Sequence, residues 1–293
     1  MPPRQLTPRR LVLNAERRFR RARLAYGHGT DNARDEAVFL VFHALGLPFD
    51  VDDVTLDLPV DAGRAAAVEA LVLARIESRR PAAYLTGRMW FVGHEFRVNE
   101  HVLVPRSPIG ELIRARFDPW LDAARVRRVL DIGTGSGCIA IAAALALPDC
   151  VVDATDISPA ALAVARDNAE RLGVAGRVHF HLADIFPPTG AAYDLVLANP
   201  PYVPQAEYDE LPVEYLREPA GALVAGADGL DVVRRLLQGL PERLTEEGVL
   251  VMDTGATSAT LAAAFPRLPF TWVELQHGGE GISVLKRREF RRD

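Results

Sequence analysis

From Val126 to the end of the chain, β-type and helical patterns alternate, and this alternation limits the possible folds more than any other feature. β-type runs fall at residues 129–131, 151–156, 178–185, 195–198 and 249–253, with helices expected from about Ser136, from about Pro159, near 229–240 and near 257–264. Two further runs, 270–276 and 282–286, read as closing antiparallel strands. Strand and helix in alternation specify a mostly parallel sheet covered on both faces, since each crossover lays a helix on the sheet. Ligands of such sheets bind at the carboxyl ends of the strands. The expected class is therefore α/β, with a seven-stranded mixed sheet.

The first third of the chain follows a different pattern. Between 31 and 46, apolar residues at 37, 40, 41, 44 and 45 keep helical spacing, Asn32 and Asp35 suit the first turn, and Gly46 and Pro48 stop the helix. A second helix is expected over 63–79, with Val68, Leu71, Val72 and Ile76 on one face. Residues 1–80 read as a small helical domain with no catalytic pattern, and His43 within it as a core histidine. Short β-type runs around Gly93 and Asn99-Glu100 make 81–106 a β-hairpin linker, which leaves 107–293 for the sheet.

Composition narrows the class. A chain of 293 residues with 49% apolar and 25% charged residues is that of a two-domain globular protein. Its two cysteines, Cys138 and Cys150, offer neither a disulfide framework nor a thiolate metal site, so no metal is expected and a reducing cytoplasm is the simplest compartment. The longest apolar run, 138–147, is too short to span a bilayer. The net charge of −5 conceals a polarity: residues 31–285 hold 21 basic against 36 acidic groups, near −15, whereas the two ends together carry +10. Such a body argues against a nucleic-acid cleft and suits a basic protein partner, leaving RNA contact to the basic termini.

Three motifs carry chemistry. The first is the buried run Val129-Leu130-Asp131 leading into Ile132-Gly133-Thr134-Gly135-Ser136-Gly137, where alternate glycines let the backbone turn tightly and approach a ligand. The dinucleotide fingerprint needs a glycine at 138, and Cys138 stands there, so the alternatives are a nucleoside-binding turn or a plain tight connection. The second is Asp156 at the next strand tip, placed to accept both hydroxyls of a ribose, with Ser158 before Pro159 as a helix cap. Asp184 at the third strand tip is placed to meet an adenine amine, with Ile185 and Phe186 walling the ring. The third, Asn199-Pro200-Pro201-Tyr202 after a buried strand, has a preset backbone, because each proline fixes φ and removes a donor. Its Asn199 side-chain oxygen and Pro200 carbonyl are placed to accept both hydrogens of a planar NH2 group, with Tyr202 packing on its face.

The glycine turn resembles that of class I methyltransferases, and Asn-Pro-Pro-Tyr occurs in those that methylate adenine, guanine or glutamine amino groups. Residues 90–98, Trp-Phe-Val-Gly-His-Glu-Phe-Arg-Val, and 102–113, which include Pro105-Arg106-Ser107-Pro108-Ile109-Gly110-Glu111, resemble the protein-glutamine methyltransferase family. The likeness runs over about residues 30–287 and points to the branch acting on large-subunit ribosomal protein L-three rather than to the release-factor branch. It implies a Rossmann-like methyltransferase domain behind a substrate-recognising helical domain, with S-adenosylmethionine as cofactor and S-adenosylhomocysteine as product. It further implies cofactor contacts from Asp131, Gly133, Thr134, Gly135, Ser136, Gly137, Asp156, Ile157, Asp184, Ile185 and Asn199. It also implies that Asn199, Pro200, Pro201 and Tyr202 form the catalytic turn that holds the substrate glutamine. Arg106 either contacts substrate backbone or pairs with Glu111, and residues 218–223 resemble the family's closing segment. Two positions depart from the pattern. Ile185 stands where release-factor enzymes have Trp, and Asp253 stands where Glu is commoner. The competing functions are release-factor methylation, ribosomal RNA amino-methylation through the basic ends, and a non-enzymatic ribosome-binding role.

Overall fold

A computed structural model describes residues 5–276 and 278–290 and divides the chain into two units. The first unit runs to Arg88 and takes in Pro212–Arg217 as well; the second holds Met89–Leu211 and the chain from Glu218 onward.

The first unit is helical: α1 (Pro8–Ala22), α2 (Ala33–Leu45), α3 (Asp53–Leu56), α4 (Ala62–Ser78) and α5 (Ala82–Thr86). Asn32 caps α2 by accepting from the Arg34 and Asp35 amides, and Gly46 ends it in the left-handed region. Helix α1 is absent from the sequence reading, where its arginines hid its pattern. Its signal is Thr7 accepting from the Arg10 amide ahead of Pro8, with Leu11, Val12, Ala15 and Phe19 buried at helical spacing. Three of its arginines are neutralised within the unit: Arg9 by Asp53 and Asp57, Arg18 by Glu69 and Arg20 by Glu16. Glu214, from the segment that joins this unit late in the chain, is buried 3.0 Å from Arg79 and 3.8 Å from Arg75, and Arg75 is itself 2.7 Å from buried Glu36. The C-terminal basic residues Arg291 and Arg292 lie outside the described residues.

The second unit opens with a two-stranded sheet of β1 (Arg88–Phe91) and β2 (His94–Arg97), which turns at Val92 and Gly93. Residues 102–104, expected as a further β-type run, join no strand. After α6 (Ile109–Arg114) come β3 (Arg128–Ile132), α7 (Cys138–Ala146), β4 (Val151–Asp156), α8 (Pro159–Arg171), β5 (Val178–Leu182) and β6 (Tyr193–Ala198). Then follow α9 (Gln205–Tyr208), α10 (Asp231–Gly239), β7 (Leu244–Asp253), α11 (Ser258–Ala264), β8 (Thr271–Trp272) and β9 (Ile282–Lys286). The seven strands order as β5-β4-β3-β6-β7-β9-β8, with β3 to β7 parallel and β9 antiparallel to both β7 and β8. This is the seven-stranded mixed sheet that the alternating pattern predicts. β5 ends three residues before the expected limit because Ile185 takes a left-handed φ of 69°, which a strand cannot continue. β8 keeps only two of the seven residues expected of it, whereas β7 starts five residues early.

Apolar side chains cover both faces of the sheet. Val129, Val152, Leu195, Leu197 and Val251 face one cluster with the Ala-rich α7; Leu130, Val196, Leu250 and Leu285 face another with Val233, Leu236 and Leu237 of α10. Each such side chain contributes roughly 1.5–3 kcal/mol by leaving water.

A polar cluster lies within this second unit. Buried Asp153 of β4 accepts from the Tyr193 hydroxyl at 2.9 Å and from Arg128 at 3.2 Å, and meets His181 Nε2 at 2.8 Å. Burial works against its charge, but the hydrogen bonds from His181, Tyr193 and Arg128 outweigh that and hold the carboxyl below the usual carboxylate range. His181 thus has a structural partner. A folded carboxyl below its unfolded value adds stability that is present above pH about 4 and lost as pH falls through that region. Tyr193→Phe should cost about 1–2 kcal/mol at neutral pH and weaken the acid limb of the stability profile, as read by urea unfolding across pH.

Candidate active site

β3 and β6 are neighbours at the middle of the sheet, yet the chain extends the sheet outward from β3 through β4 and β5 and from β6 through β7. The carboxyl ends of β3 and β6 thus flank the topological switch point, where such sheets bind ligands. A cavity of about 410 Å³ opens there. That size suits a small-molecule ligand.

The turn after β3 forms one wall. Gly133, Gly135 and Gly137 have φ of 71°, 53° and 79°, a conformation costly to any residue with a Cβ. The Gly133 and Thr134 amides both donate to the Thr155 carbonyl at 2.9 Å, which anchors the turn over β4. Gly133, Thr134, Gly135 and Ser136 line the cavity, whereas Asp131 and Gly137 do not. Asp131 supports the turn from behind: its Oδ2 accepts from the Thr134 hydroxyl at 2.6 Å and the Ala140 amide at 3.2 Å. Burial pushes its carboxyl up to about 7. Gly137 leaves room for Ile141 and Ala165 behind the turn.

Asp156 lines the cavity from the tip of β4. Its Oδ2 accepts from the Gly135 amide at 2.9 Å and its Oδ1 from the Ser158 amide at 2.8 Å. These bonds hold the carboxylate in place and leave each oxygen further acceptor capacity, which fits a pair of adjacent hydroxyls. The Ser158 hydroxyl accepts from the Ala161 amide and caps α8, as its place before Pro159 predicts.

The far end of the cavity differs from expectation. Ile157 and Ile185 line it, as does Asp184, but the Asp184 carboxylate is paired with Arg235 of α10, a lining residue that no sequence motif marked. Phe186, expected beside the same ring, does not line the cavity; it packs against Gly239 with the Arg243 guanidinium 5.5 Å from its ring centre. The left-handed backbone at Ile185 redirects the residue that follows.

At the tip of β6, Asn199, Pro200 and Pro201 line the cavity opposite the glycine turn. The Asn199 Oδ1 is buried and has no hydrogen-bond partner. A Cβ on Gly229, whose φ is 77°, would fall 2.2 Å from the Tyr202 carbonyl oxygen, so this close approach of two backbones seats the turn. A second, smaller cavity of about 140 Å³ shares Arg106, Ser107, Asn199 and Pro200 with the first and is lined also by Tyr202 and Asp253.

Two guanidinium nitrogens of Arg106 bind Glu218 at 2.6 and 2.7 Å, and Glu111 accepts from the Gln276 amide. Glu218 also accepts from the Val104 amide at 2.9 Å. The pairing fastens the start of residues 218–223 beside both cavities, which Ala222 of that segment lines.

The comparisons with known proteins fit this geometry. Residues 118–247 match the family described as the methyltransferase small domain. A Bordetella pertussis protein named ribosomal protein uL3 glutamine methyltransferase is 46% identical over 285 residues, 97% of this chain and 96% of that one. The chain belongs to the uL3 glutamine methyltransferase family. A second member, from Xanthomonas campestris pv. campestris, is 45% identical over 95% of this chain and 91% of its own. The solved catalytic domain of hMettl16, with a MAT2A 3'UTR hairpin, aligns over 77% of this chain and 81% of that one with a TM-score of 0.52 at 18% identity, a likeness of fold. Family membership places the chain in the branch that residues 105–111 resemble. Among the described residues, no helix is long and apolar enough to cross a membrane and no cluster of three or more His, Cys, Asp or Glu is placed to hold a metal.

Proposed function

We propose that this protein transfers a methyl group from S-adenosylmethionine to the side-chain amide nitrogen of one glutamine in ribosomal protein uL3. The observation that carries the reading is Asn199, which lines both cavities from a turn held by two prolines and whose buried Oδ1 has no hydrogen-bond partner. The near-identity in length with relatives named for uL3 glutamine methylation supports the substrate.

Gly133, Thr134, Gly135 and Ser136 would give S-adenosylmethionine a backbone cradle, Asp156 would accept from its ribose hydroxyls, and Ile157 and Ile185 would flank its adenine. Asp184 and Arg235 close that end, while Asp131 and Gly137 act by shaping the turn. The bound cofactor supplies an electrophilic methyl on its sulfonium. Asn199 Oδ1 and the Pro200 carbonyl accept the two amide hydrogens of the substrate glutamine, Pro201 stiffens the turn, and Tyr202 packs on the amide face. An amide nitrogen is a poor nucleophile, so the turn must act by orientation and by favouring the positive charge that develops on nitrogen. Arg106 acts through Glu218, holding the wall of the substrate cavity.

The helical unit presents Phe49, Val54 and Leu58 more than half exposed, and these apolar residues suit recognition of the protein substrate there. The acidic body favours a basic ribosomal protein in a cytoplasmic setting. RNA contact draws less support, because the arginines Arg9, Arg18 and Arg20 are already paired.

Incubation with labelled S-adenosylmethionine and ribosomal proteins from methylation-deficient cells should label uL3, with one methyl mapped to one glutamine. Label on a release factor, or label removed by nuclease, would overturn the substrate assignment.

A further inference from the structure

The substrate cavity contains a carboxylate that the transfer just described does not use. Asp253 ends β7 with 2% of its surface exposed and lines the cavity together with Asn199, Pro200 and Tyr202. Its Oδ2 accepts from the Ser107 hydroxyl at 2.9 Å and its Oδ1 from the Gly255 amide at 3.1 Å. The same Gly255 lies against the Tyr202 ring, where a Cβ would fall within 2.8 Å. Carboxylate, glycine and aromatic ring therefore form one continuous wall beside the catalytic turn.

Asp253, Ser107 and Asn199 set side-chain acceptor oxygens along one wall of this cavity. The Asn199 Oδ1 is buried without a hydrogen-bond partner. Ser107 spends its one proton on Asp253 and presents lone pairs. Arg106, the cation beside the cavity, is bound in two hydrogen bonds to Glu218. Such a lining takes a group that donates and repels one that only accepts. A glutamine amide end and a glutamate carboxylate end have almost the same shape, so the wall's charge and acceptor pattern must tell them apart.

We propose that Asp253, oriented by Ser107, is the specificity-determining residue that makes this cavity admit glutamine and reject glutamate at the acceptor position. The inference rests on the uL3 reading above. It gives a reason for a buried carboxylate at a site where a neutral wall would pack as well, and for a serine at the position after Arg106.

Burial pushes the Asp253 carboxyl up to about 6, against the pull of the Ser107 and Gly255 hydrogen bonds and the Arg106 charge. The charged groups that face it are Arg106 from the segment before α6 and, through Arg106, Glu218. The selector charge is thus present at pH about 8 and largely gone at pH about 5.5, where an ordinary glutamate side chain is still ionised.

The test is competition. Methylation of uL3 by the full-length enzyme is inhibited with uL3 in which the acceptor glutamine is replaced by glutamate, and the inhibition constant is compared with the KM of unaltered uL3. At about pH 8 the unaltered enzyme should disfavour the glutamate form by about tenfold or more, and Asp253→Asn should bring the two within about threefold while S-adenosylmethionine affinity stays unchanged. Should Asp253→Asn fold poorly, the unaltered enzyme serves: its discrimination should fall by about tenfold between pH about 8 and about 5.5. A ratio that changes in neither experiment overturns the role of Asp253 alone. If unaltered uL3 is not methylated at all, the uL3 reading falls and the proposal with it.

Discussion

Asn199→Ala should lower kcat/KM for uL3 by about a thousandfold, roughly 4 kcal/mol of transition-state stabilisation, while leaving the protein as stable as before. The two halves of this expectation come from one observation. A buried acceptor normally has a partner, and its loss costs stability; the Asn199 Oδ1 is buried without one. Truncation therefore removes a desolvated, unsatisfied atom, and the unfolding midpoint should hold or rise slightly. The chemistry loses the acceptor that orients the amide nitrogen, and misplacement of about 1 Å can cost about a hundredfold by itself. Calorimetric S-adenosylmethionine binding should change little, because the glycine turn and Asp156 are untouched. A variant that loses cofactor binding and thermal stability together would show that Asn199 is a structural residue.

Asn199 was legible in the sequence because its neighbours are. A buried strand ending in two prolines leaves few conformations for the turn, and the side chain that begins it must face the carboxyl end of the sheet. The same holds for Asp156, the last residue of β4, and for the glycine turn, which begins one residue past β3. Long-range pairings left no such trace. Glu218 lies 112 residues from Arg106, and Asp253 lies 146 from Ser107, so no periodicity connects them. Sequence reasoning offers Arg106 only its near neighbour Glu111 or the substrate, since it sees neighbours and not Glu218. Phe186 failed for a local reason: one left-handed residue, Ile185, reverses where the next side chain points, and nothing in an isoleucine announces positive φ. Helix α1 has an ordinary cap and apolar spacing, but eight arginines in thirty residues mask its pattern until their acidic partners on other helices are known.

Glu218→Ala should destabilise the protein by about 3 kcal/mol, lowering its unfolding midpoint by about 10 °C, and should raise KM for uL3 more than it lowers cofactor affinity. The Glu218 side chain is fully buried and serves three donors, two from Arg106 and the Val104 amide. Removing it leaves a guanidinium that is 22% exposed and a buried amide without that acceptor, and breaking a buried pair from one side costs more than the pair is worth as a whole. The Arg106→Ala and Glu218→Ala double variant should accordingly lose less than the sum of the single losses, a coupling of about 1–3 kcal/mol read from a double-mutant cycle. The kinetic effect follows from position. Val104 and Arg106 stand on one side of the cleft, and Glu218 starts the segment whose Ala222 lines both cavities. Without the tie, that wall is held by fewer contacts, and the substrate glutamine must order it on entering. That ordering cost enters binding, so KM rises first, and kcat falls only as far as the glutamine amide drifts from Asn199. Additive single-variant losses with an unchanged KM would mean that the pair is merely a structural brace.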